Sequence, residues 1–247
     1  MVAGLEPLPG ETPAPNPGSR PHIRLVLATS LDGKLTDAAR SPAHFGSAAD
    51  RAHLEQQIAA VDAVLFGAGT LRAYETTLPV THPDLLAQRQ QAGLPPQPVQ
   101  IVCSRTAIFD PRWRFFRQPL PRWLLTTAAA AAHWQGRAEF ARVLAVPTTY
   151  DANSLVWPLA LQHLVDLGIE RLALLGGGEL VAALLAVDAI DELHLTLCPL
   201  MFGGRTAPTP CDGQGLAMVA APRWRLLQAT PVGDEVFLHY VRAGDRR

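Results

Sequence analysis

Three consecutive glycines, Gly176, Gly177 and Gly178, join a short apolar run to a helix pattern that begins at Glu179. Glycines at a strand-to-helix junction let backbone amides point into a cavity beside the positive end of the helix dipole, which suits a pyrophosphate. An ordinary tight turn is the alternative, but consecutive glycines raise the entropic cost of folding and therefore need a reason. The stretch is not a GxGxxG motif and no acidic residue ends an obvious next strand, so it does not indicate a Rossmann fold.

A second apolar run, Ala63–Phe66, also ends in glycines, at Gly67 and Gly69, and is followed by Thr70. Thr70 is as well suited to cap a short helix as to contact a ligand. The carboxyl ends of strands line a shared crevice in open α/β sheets. Two glycine-bearing strand ends in one small sheet therefore favour a common binding site.

Two further strand ends carry polar side chains. Ser104 and Arg105 follow the run Val99–Cys103. A hydroxyl beside a guanidinium suits a terminal phosphate monoester because arginine offers a bidentate fork, although such a pair in isolation is more often a solvated loop. The segment 29–34, Thr-Ser-Leu-Asp-Gly-Lys, brings hydroxyls, a carboxylate and an amine into one turn. An Asx hydrogen bond accounts for that turn as well as a chemical role does.

Composition excludes several classes of partner. The chain carries 21 basic and 22 acidic side chains, a net charge of −1, so we expect no nucleic-acid partner. No apolar run approaches the roughly 18 residues of a membrane helix, and the N-terminus lacks the features of a signal peptide, so we expect a cytoplasmic protein without a membrane partner. The three cysteines, at 103, 198 and 211, form no zinc motif and indicate a reducing compartment.

The eight histidines occur singly, without HExxH or carboxylate-histidine spacing, so we expect no metal. His194 and His239 fall on predicted strands, where a structural role is expected.

The elements that must position these residues alternate between strand and helix patterns. Residues 1–21 are rich in proline and glycine, which predicts a disordered arm, and residues 22–247 are expected to form a single domain. The pattern predicts a mixed α/β sheet, parallel in the middle, with an antiparallel C-terminal hairpin. The predicted strands are Ile23–Thr29, Ala63–Phe66, Val99–Cys103, Arg122–Thr126, Val143–Val146, Leu172–Leu175, Glu192–Cys198, Arg223–Thr230 and Glu235–Val241, and the predicted helices are 47–60, 154–167 and 179–187.

Taken in order, these motifs resemble the pyrimidine reductase domain of riboflavin biosynthesis, which is found at the C-terminus of bifunctional deaminase-reductases. The resemblance covers residues 22–242, and the zinc signature of the deaminase is missing. It implies a dihydrofolate-reductase-like three-layer fold with a mostly parallel sheet, and a homodimer. The motifs that carry it are Ser30-Leu31-Asp32-Gly33-Lys34, the segment 62–71, Gly176-Gly177-Gly178, and Asp191-Glu192-Leu193 leading to Pro199 and Gly203-Gly204.

The resemblance implies a hydride transfer from NADPH to the ribosyl carbon of an aminopyrimidine ribosylamine phosphate, which opens the sugar to a ribityl chain. Ser104 and Arg105 would meet the 2′-phosphate of the cofactor, and the nicotinamide would lie near Asp32 and Phe45. The proton would come from Asp32, Glu75 or bound water. The cofactor-binding residues would be Thr29, Phe45, Gly67, Gly69, Thr70, Ser104, Arg105, Gly176, Gly177, Gly178 and Glu179, and the substrate-binding residues Ser30, Arg24, Ser47 and Leu78.

The chain departs from the family mostly where the substrate would bind. The family usually continues Ala-Asp-(Asp/Asn)-Pro-x-Leu-Thr-x-Arg after the second glycine segment, whereas Tyr74 and Thr81 stand in this chain, and the phosphate-holding arginine is absent. Val26 and Leu175 replace a lysine and a glutamate of many members, and Arg24, on the same strand face as Val26, is the candidate substitute. The alternatives are a related NADPH reductase acting on a different small heterocycle or carbonyl, and a non-catalytic nucleotide-binding module.

Overall fold

The computed structural model describes residues 20–150 and 154–244. The arm predicted over residues 1–21 lies outside the described residues except for Arg20 and Pro21. Arg20 forms a bidentate ion pair with Asp191, with two N–O distances of 2.7 Å. This ion pair attaches Arg20 to the segment that immediately precedes Glu192. No helix within the described ranges is long and apolar enough to cross a membrane.

All nine predicted strands are present, with ends that lie within two residues of the predicted ones. The strands are β1 (His22–Ser30), β2 (Ala63–Gly67), β3 (Val99–Cys103), β4 (Arg122–Thr126), β5 (Arg142–Ala145), β6 (Arg171–Leu174), β7 (Glu192–Cys198), β8 (Trp224–Val232) and β9 (Glu235–Arg242). The helices are α1 (Ala48–Ala59), α2 (Ala68–Tyr74), α3 (Pro83–Gln91), α4 (Arg114–Arg117), α5 (Ala128–Ala131), α6 (Trp157–Asp166) and α7 (Gly178–Ala186).

The strands form one nine-stranded sheet in the order β5-β4-β3-β2-β6-β1-β7-β9-β8. Pairing is parallel from β5 to β7, and β9 is antiparallel to both β7 and β8. The predicted mixed sheet with an antiparallel C-terminal hairpin is confirmed. Parallel strand ends meet at one edge of a sheet, so the carboxyl ends of the four neighbours β3, β2, β6 and β1 form one continuous edge.

Two apolar cores, one on each face of the sheet, make the fold three-layered. Along β2, Ala63 and Leu65 belong to the core beneath α6 and α7, whereas Val64 and Phe66 belong to the core on the opposite face. Alternation of this kind follows from the two-residue repeat of a strand. Because both faces are covered, the parallel strands are largely apolar runs, with Arg24 in β1 and Gln100 in β3 as buried polar exceptions, and this is why their positions are visible in the sequence.

Helix ends follow local capping chemistry. The Ser47 hydroxyl accepts hydrogen bonds from the Ala49 and Asp50 amides at 3.1 Å, so α1 begins where the sequence predicts. The helix predicted from Ser154 starts at Trp157 instead, with Pro158 in its first turn. Proline is favoured at the first positions of a helix because its missing N–H is not required there.

Candidate active site

The glycine loops that follow β2 and β6 lie side by side at the carboxyl edge of the sheet. The Gly67 amide donates a hydrogen bond to the Gly176 carbonyl at 2.9 Å. A Cβ placed on Gly177 would lie 3.8 Å from Thr70 Oγ1. The two loops that the sequence predicts to share a crevice therefore form one surface.

The glycines of the two loops differ in what surrounds them. Gly176 has a φ of +91°, in the left-handed region that favours glycine, and a Cβ there would approach Leu27 to 3.1 Å. A Cβ on Gly178 would collide with the Thr209 carbonyl oxygen at well under 3.0 Å, whereas a Cβ on Gly69 would meet nothing within 4 Å. Packing requires Gly178, and Gly69 borders open space.

The N-terminus of α7 faces this glycine surface. Gly177 is its N-cap residue, and no side chain caps the helix. Amides in the first turn of such a helix lack an internal acceptor, which makes the helix end a binding site for anions. Glu179, in the first turn, has an exposed side chain.

Ser104 and Arg105 lie at the end of β3, next to the end of β2, and they have different surroundings. Ser104 is buried, and its hydroxyl accepts a hydrogen bond from the Ala107 amide at 2.9 Å. Arg105 is exposed, and its carbonyl accepts a hydrogen bond from Thr127 Oγ1 at 3.0 Å. Ser104 thus shapes the turn, while Arg105 is at the surface, two residues beyond the pairing of Cys103 with Gly67.

The turn after β1 is closed by the Asp32 carboxylate. Ser30 Oγ donates to Asp32 Oδ1 at 2.5 Å, and the Gly203 amide donates to Asp32 Oδ2 at 2.7 Å. These hydrogen bonds, with that of Ser30 the largest cause, hold the pKa of Asp32 below its usual range. Asp32 is therefore ionised at neutral pH and is a poor proton donor there. Ser30 Oγ in turn accepts from the Lys34 amide at 2.9 Å.

Tyr74 fixes the loop that carries Phe45. The Tyr74 hydroxyl accepts from the Ala43 amide at 2.9 Å and donates to the Ala43 carbonyl at 3.0 Å. Burial raises the pKa of this hydroxyl, so it remains protonated and able to donate. Phe45 meets Phe202 edge to face, with ring centroids 5.5 Å apart. The residue that departs from the family pattern at position 74 thus has a structural function.

Ser47 lies beside a cavity of about 380 Å³ between the start of α1 and the β8–β9 turn. The Ser47 amide donates to Glu235 Oε1 at 2.8 Å, and its hydroxyl donates to Glu235 Oε2 at 2.6 Å. The buried Glu235 carboxylate therefore stands at the N-terminus of α1, where its negative charge is stabilised by the helix dipole. Phe45, Pro199 and Val232 also line the cavity.

Arg24 does not lie with the other predicted site residues. It is 8% exposed, and its guanidinium donates to Gln57 Oε1 at 3.0 Å beneath α1. Burial lowers the pKa of Arg24, and this effect outweighs the nearby Glu192 carboxylate, which acts to raise it. Its position near the beginning of β1 separates it from Ser30 by six residues, about 20 Å along a strand. The structure thus gives no support to Arg24 as a substitute for the family's lysine.

Three other predicted residues line the edge of the site or pack behind it. Thr29 is buried at the end of β1. Glu75 is exposed at the C-cap of α2, with a φ of 53°, and its carbonyl accepts from the Phe115 amide at 2.8 Å. Leu78 is half-buried against the core that contains Phe66.

Val26 and Leu175 occupy neighbouring positions on adjacent strands. Leu25 of β1 is paired with Leu174, the last residue of β6. Val26 and Leu175 each follow one member of this pair along the chain. Both side chains belong to the same apolar core. Thr81, where the family's arginine is absent, instead donates from Oγ1 to Glu55 Oε1 at 3.0 Å. Val26, Leu175 and Thr81 thus carry no charge at three positions where the family pattern has a charged residue.

Glu235 and Phe202 also contribute to this region, and neither is among the site residues predicted from the sequence. The only signal for Phe202 was its position before Gly203 and Gly204. Glu235 stands at the start of a predicted strand, where no local pattern relates it to Ser47.

Comparisons with known proteins agree with this geometry. A family model described as the RibD C-terminal domain matches residues 21–238. The 2,5-diamino-6-ribosylamino-4(3H)-pyrimidinone 5′-phosphate reductase of Archaeoglobus fulgidus is 29% identical over 195 residues, 79% of this chain and 88% of that protein. The reductase of the same name from Methanothermobacter thermautotrophicus is 29% identical over 230 residues, 91% of this chain and 100% of that protein. A solved structure of a pyrimidine reductase-like protein from Corynebacterium diphtheriae shares the fold, with a TM-score of 0.75, 22% identity, and coverage of 91% of this chain and 93% of that one.

Proposed function

This chain belongs to the RibD C-terminal domain family, and on that premise we propose that it is an NADPH-dependent reductase of a pyrimidine ribosylamine 5′-phosphate in riboflavin biosynthesis. The names of the two archaeal relatives support this substrate class. The observation that carries the proposal is the convergence of the glycine loops, joined by the Gly67–Gly176 hydrogen bond of 2.9 Å.

The residues at this surface fit a dinucleotide. A Cβ on Gly69 would meet nothing within 4 Å, and one on Gly177 would have only Thr70 Oγ1 nearby, so this surface leaves room for a pyrophosphate beside the N-terminus of α7. Arg105, on the neighbouring strand end, would hold a 2′-phosphate through its bidentate fork. Thr29 and Phe45 would hold the nicotinamide end.

Bound NADPH supplies the hydride for this reaction. Reduction at the ribosyl carbon breaks its bond to the ring oxygen, and that oxygen takes up a proton as the ribityl chain forms. The protein must align the reacting atoms and exclude water, which are positional contributions. Asp32 is a positioning residue in this scheme, because its ionised carboxylate holds the 202–203 loop through the Gly203 amide. The proton then comes from Glu75 or from water.

A second candidate function, reduction of a different small heterocycle or carbonyl with the same cofactor, is favoured by the apolar Val26 and Leu175. Loss of a charged contact to a buried phosphate typically weakens binding by a few kcal/mol, which is enough to change the preferred substrate. This alternative shares the cofactor surface and differs only in the substrate.

We also propose that the chain is a cytoplasmic homodimer. The described part of the chain contains three free cysteines, which agrees with a reducing compartment. Leu226 and Leu227 of the edge strand β8 are 47% and 46% exposed, and apolar edge strands are commonly covered by a partner. Light scattering of the purified chain distinguishes a dimer from a monomer.

Oxidation of NADPH by the purified chain tests the proposal. The archaeal-type substrate, 2,5-diamino-6-ribosylamino-4(3H)-pyrimidinone 5′-phosphate, should support turnover, and 5-amino-6-(5-phosphoribosylamino)uracil is the comparison. Turnover only with unphosphorylated heterocycles or carbonyls would select the second candidate. Binding of NADPH without turnover of any of these compounds would refute both and favour a non-catalytic module.

The roles of Asp32 and Glu75 are separable by kinetics. Asp32→Asn keeps the shape of the side chain but removes its charge, so we expect a raised KM and a pH profile of kcat like that of the unaltered chain. Glu75→Gln should lower kcat and flatten its pH profile if Glu75 supplies the proton. A pH profile changed by Asp32→Asn alone would contradict the positioning role.

A further inference from the structure

A carboxylate and two imidazoles converge in the layer between the sheet and α1, far from the glycine loops. Glu192 and His194 are two residues apart on β7 and point to the same face, and His239 of β9 is the cross-strand partner of His194. Glu192 Oε2 lies 3.1 Å from His194 Nε2 and 3.4 Å from His239 Nε2. The side chains of Glu192 and His194 are each 5% exposed.

The separations of 3.1 and 3.4 Å from Glu192 Oε2 to the two imidazole nitrogens are close to those between ligands of one metal ion. A tetrahedral Zn²⁺ with bonds of about 2.0–2.2 Å to nitrogen and oxygen holds its ligand atoms roughly 3.3–3.5 Å apart. One ligand atom from each of Glu192, His194 and His239 lies within 4.8 Å of the other two. In addition, His239 Nε2 is buried and forms no well-aligned hydrogen bond within the described part of the chain, although Glu192 Oε2 lies 3.4 Å away.

We propose that Glu192, His194 and His239 form a binding site for a first-row divalent cation, for which Zn²⁺ is the best probe. Two imidazoles and one carboxylate are a common ligand set for Zn²⁺ and Fe²⁺ when water completes the coordination. His239 is the most exposed of the three, with 20% of its side chain accessible, and it leaves the water position on its side.

A neighbouring histidine, His22, contacts the Glu192 carboxylate and helps to orient it. His22 Nε2 lies 3.0 Å from Glu192 Oε1. The other carboxylate oxygen, Oε2, is the one that contacts His194 and His239. Such outer contacts orient a ligating carboxylate. The positive charge of Arg24 near Glu192 opposes a dication, so we expect weaker binding than in a closed site with four protein ligands.

Cation binding requires one of the imidazole rings to turn. The rings of His194 and His239 are stacked, with centroids 4.2 Å apart and an interplanar angle of 18°. An ion bonds to an imidazole nitrogen in the plane of the ring, so two nearly parallel rings cannot both bind it without rotation about a side-chain torsion. The more exposed ring, that of His239, is the one we expect to move.

The proposed site is structural and is independent of the reductase chemistry. Glu192 begins β7, and Cys198 ends it at the carboxyl edge of the sheet, so the three ligands lie about 13–20 Å along the strand from that edge. An ion there would join β7 to β9 and stabilise the antiparallel part of the sheet, because binding to the folded state alone raises its stability.

Zn²⁺ binding to the full chain, stripped of metal with a chelator, tests the proposal by competition with a chromogenic chelator. We expect one Zn²⁺ per chain and a raised melting temperature. His239→Gln and Glu192→Gln should each weaken binding at least tenfold and remove the increase in melting temperature. His163→Gln, which changes an exposed histidine of α6, is the matched control and should leave both unchanged.

Co²⁺ gives a second measurement, since its visible absorption bands distinguish protein-bound four- or five-coordinate ion from hexa-aqua ion. These bands should appear with the unaltered chain and the control variant, and be absent from His239→Gln. Should Glu192→Gln fail to fold, as judged by circular dichroism, His239→Gln decides the result. Stoichiometric binding unaffected by His239→Gln, or no stoichiometric binding to the unaltered chain, would overturn the proposal.

Discussion

Replacement of Gly69 by alanine separates folding from cofactor binding. Gly69 is the second residue of α2, and a Cβ there would meet nothing within 4 Å. Alanine is favoured over glycine in a helix by up to about 1 kcal/mol. For a domain of this size, that free energy raises the melting temperature by roughly 2–4 °C. The folded state should therefore be unharmed or slightly stabilised.

The same methyl group would occupy the space that a pyrophosphate needs against the glycine loops. We expect the Kd for NADPH to rise at least tenfold, equivalent to about 1.4 kcal/mol. Fluorescence titration with NADPH measures the affinity, and scanning fluorimetry without ligand measures the melting temperature of the same sample. The increase in melting temperature on adding NADPH should shrink in proportion to the lost affinity.

Gly178→Ala is the matched control, because it makes the same chemical change at the first residue of α7 but into a packed space. Its Cβ would collide with the Thr209 carbonyl oxygen and the Asp212 carboxylate, and overpacking of this kind costs about 1–3 kcal/mol. The melting temperature should fall. NADPH affinity in Gly69→Ala equal to that of the unaltered chain would refute the placement of the cofactor at the glycine loops.

Three further predictions concern the cofactor surface and the layer beneath α1. Arg105→Ala should weaken NADPH binding at least tenfold and NADH binding by less than about threefold in titrations; equal losses would remove the 2′-phosphate role. Gly177→Val should abolish binding of both cofactors while circular dichroism shows a folded chain, and retained affinity would mean that this glycine only turns the backbone. Burial, the largest cause, lowers the pKa of His53 to about 4, so between about pH 6.5 and pH 4 the unfolded chain binds a proton that the folded chain does not. The His53 contribution should therefore lower the free energy of unfolding by about 2 kcal/mol between about pH 7.5 and pH 5. In urea unfolding, the free energy of unfolding of His53→Gln should fall by about 2 kcal/mol less over that range than that of the unaltered chain.

The strands were predictable from sequence because both faces of a parallel sheet are covered, so each central strand is a largely apolar run of strand length. The convergence of the glycine loops was predictable for a related reason. Parallel strands of one sheet present their carboxyl ends at the same edge, and β2 and β6 are neighbours.

The partners of polar side chains were not predictable from local sequence. Asp32 is bonded to the Gly203 amide, and Glu235 to Ser47, through contacts between distant segments of the chain. Arg24 has the residue type that phosphate binding requires, but its position under α1 pairs it with Gln57. The cluster of Glu192, His194 and His239 is not visible in the sequence for the same reason, because His239 joins the other two residues only through the pairing of β9 with β7.

The two halves of the proposed reductase site rest on different kinds of chemistry. The cofactor half depends on backbone amides and on the absence of side chains at Gly69 and Gly177. A surface of this kind can still bind the cofactor after many substitutions elsewhere in the sequence. The substrate half depends on side-chain charge, and there Val26 and Leu175 are adjacent members of one apolar core. A lone lysine or glutamate in that core would be a buried unpaired charge, which is strongly destabilising, whereas exchanging both members of a pair for apolar residues is tolerated. The joint presence of Val26 and Leu175 is therefore compatible with a stable fold and an intact cofactor surface. We expect these two residues to change the specificity for the substrate and to leave the specificity for the cofactor unchanged.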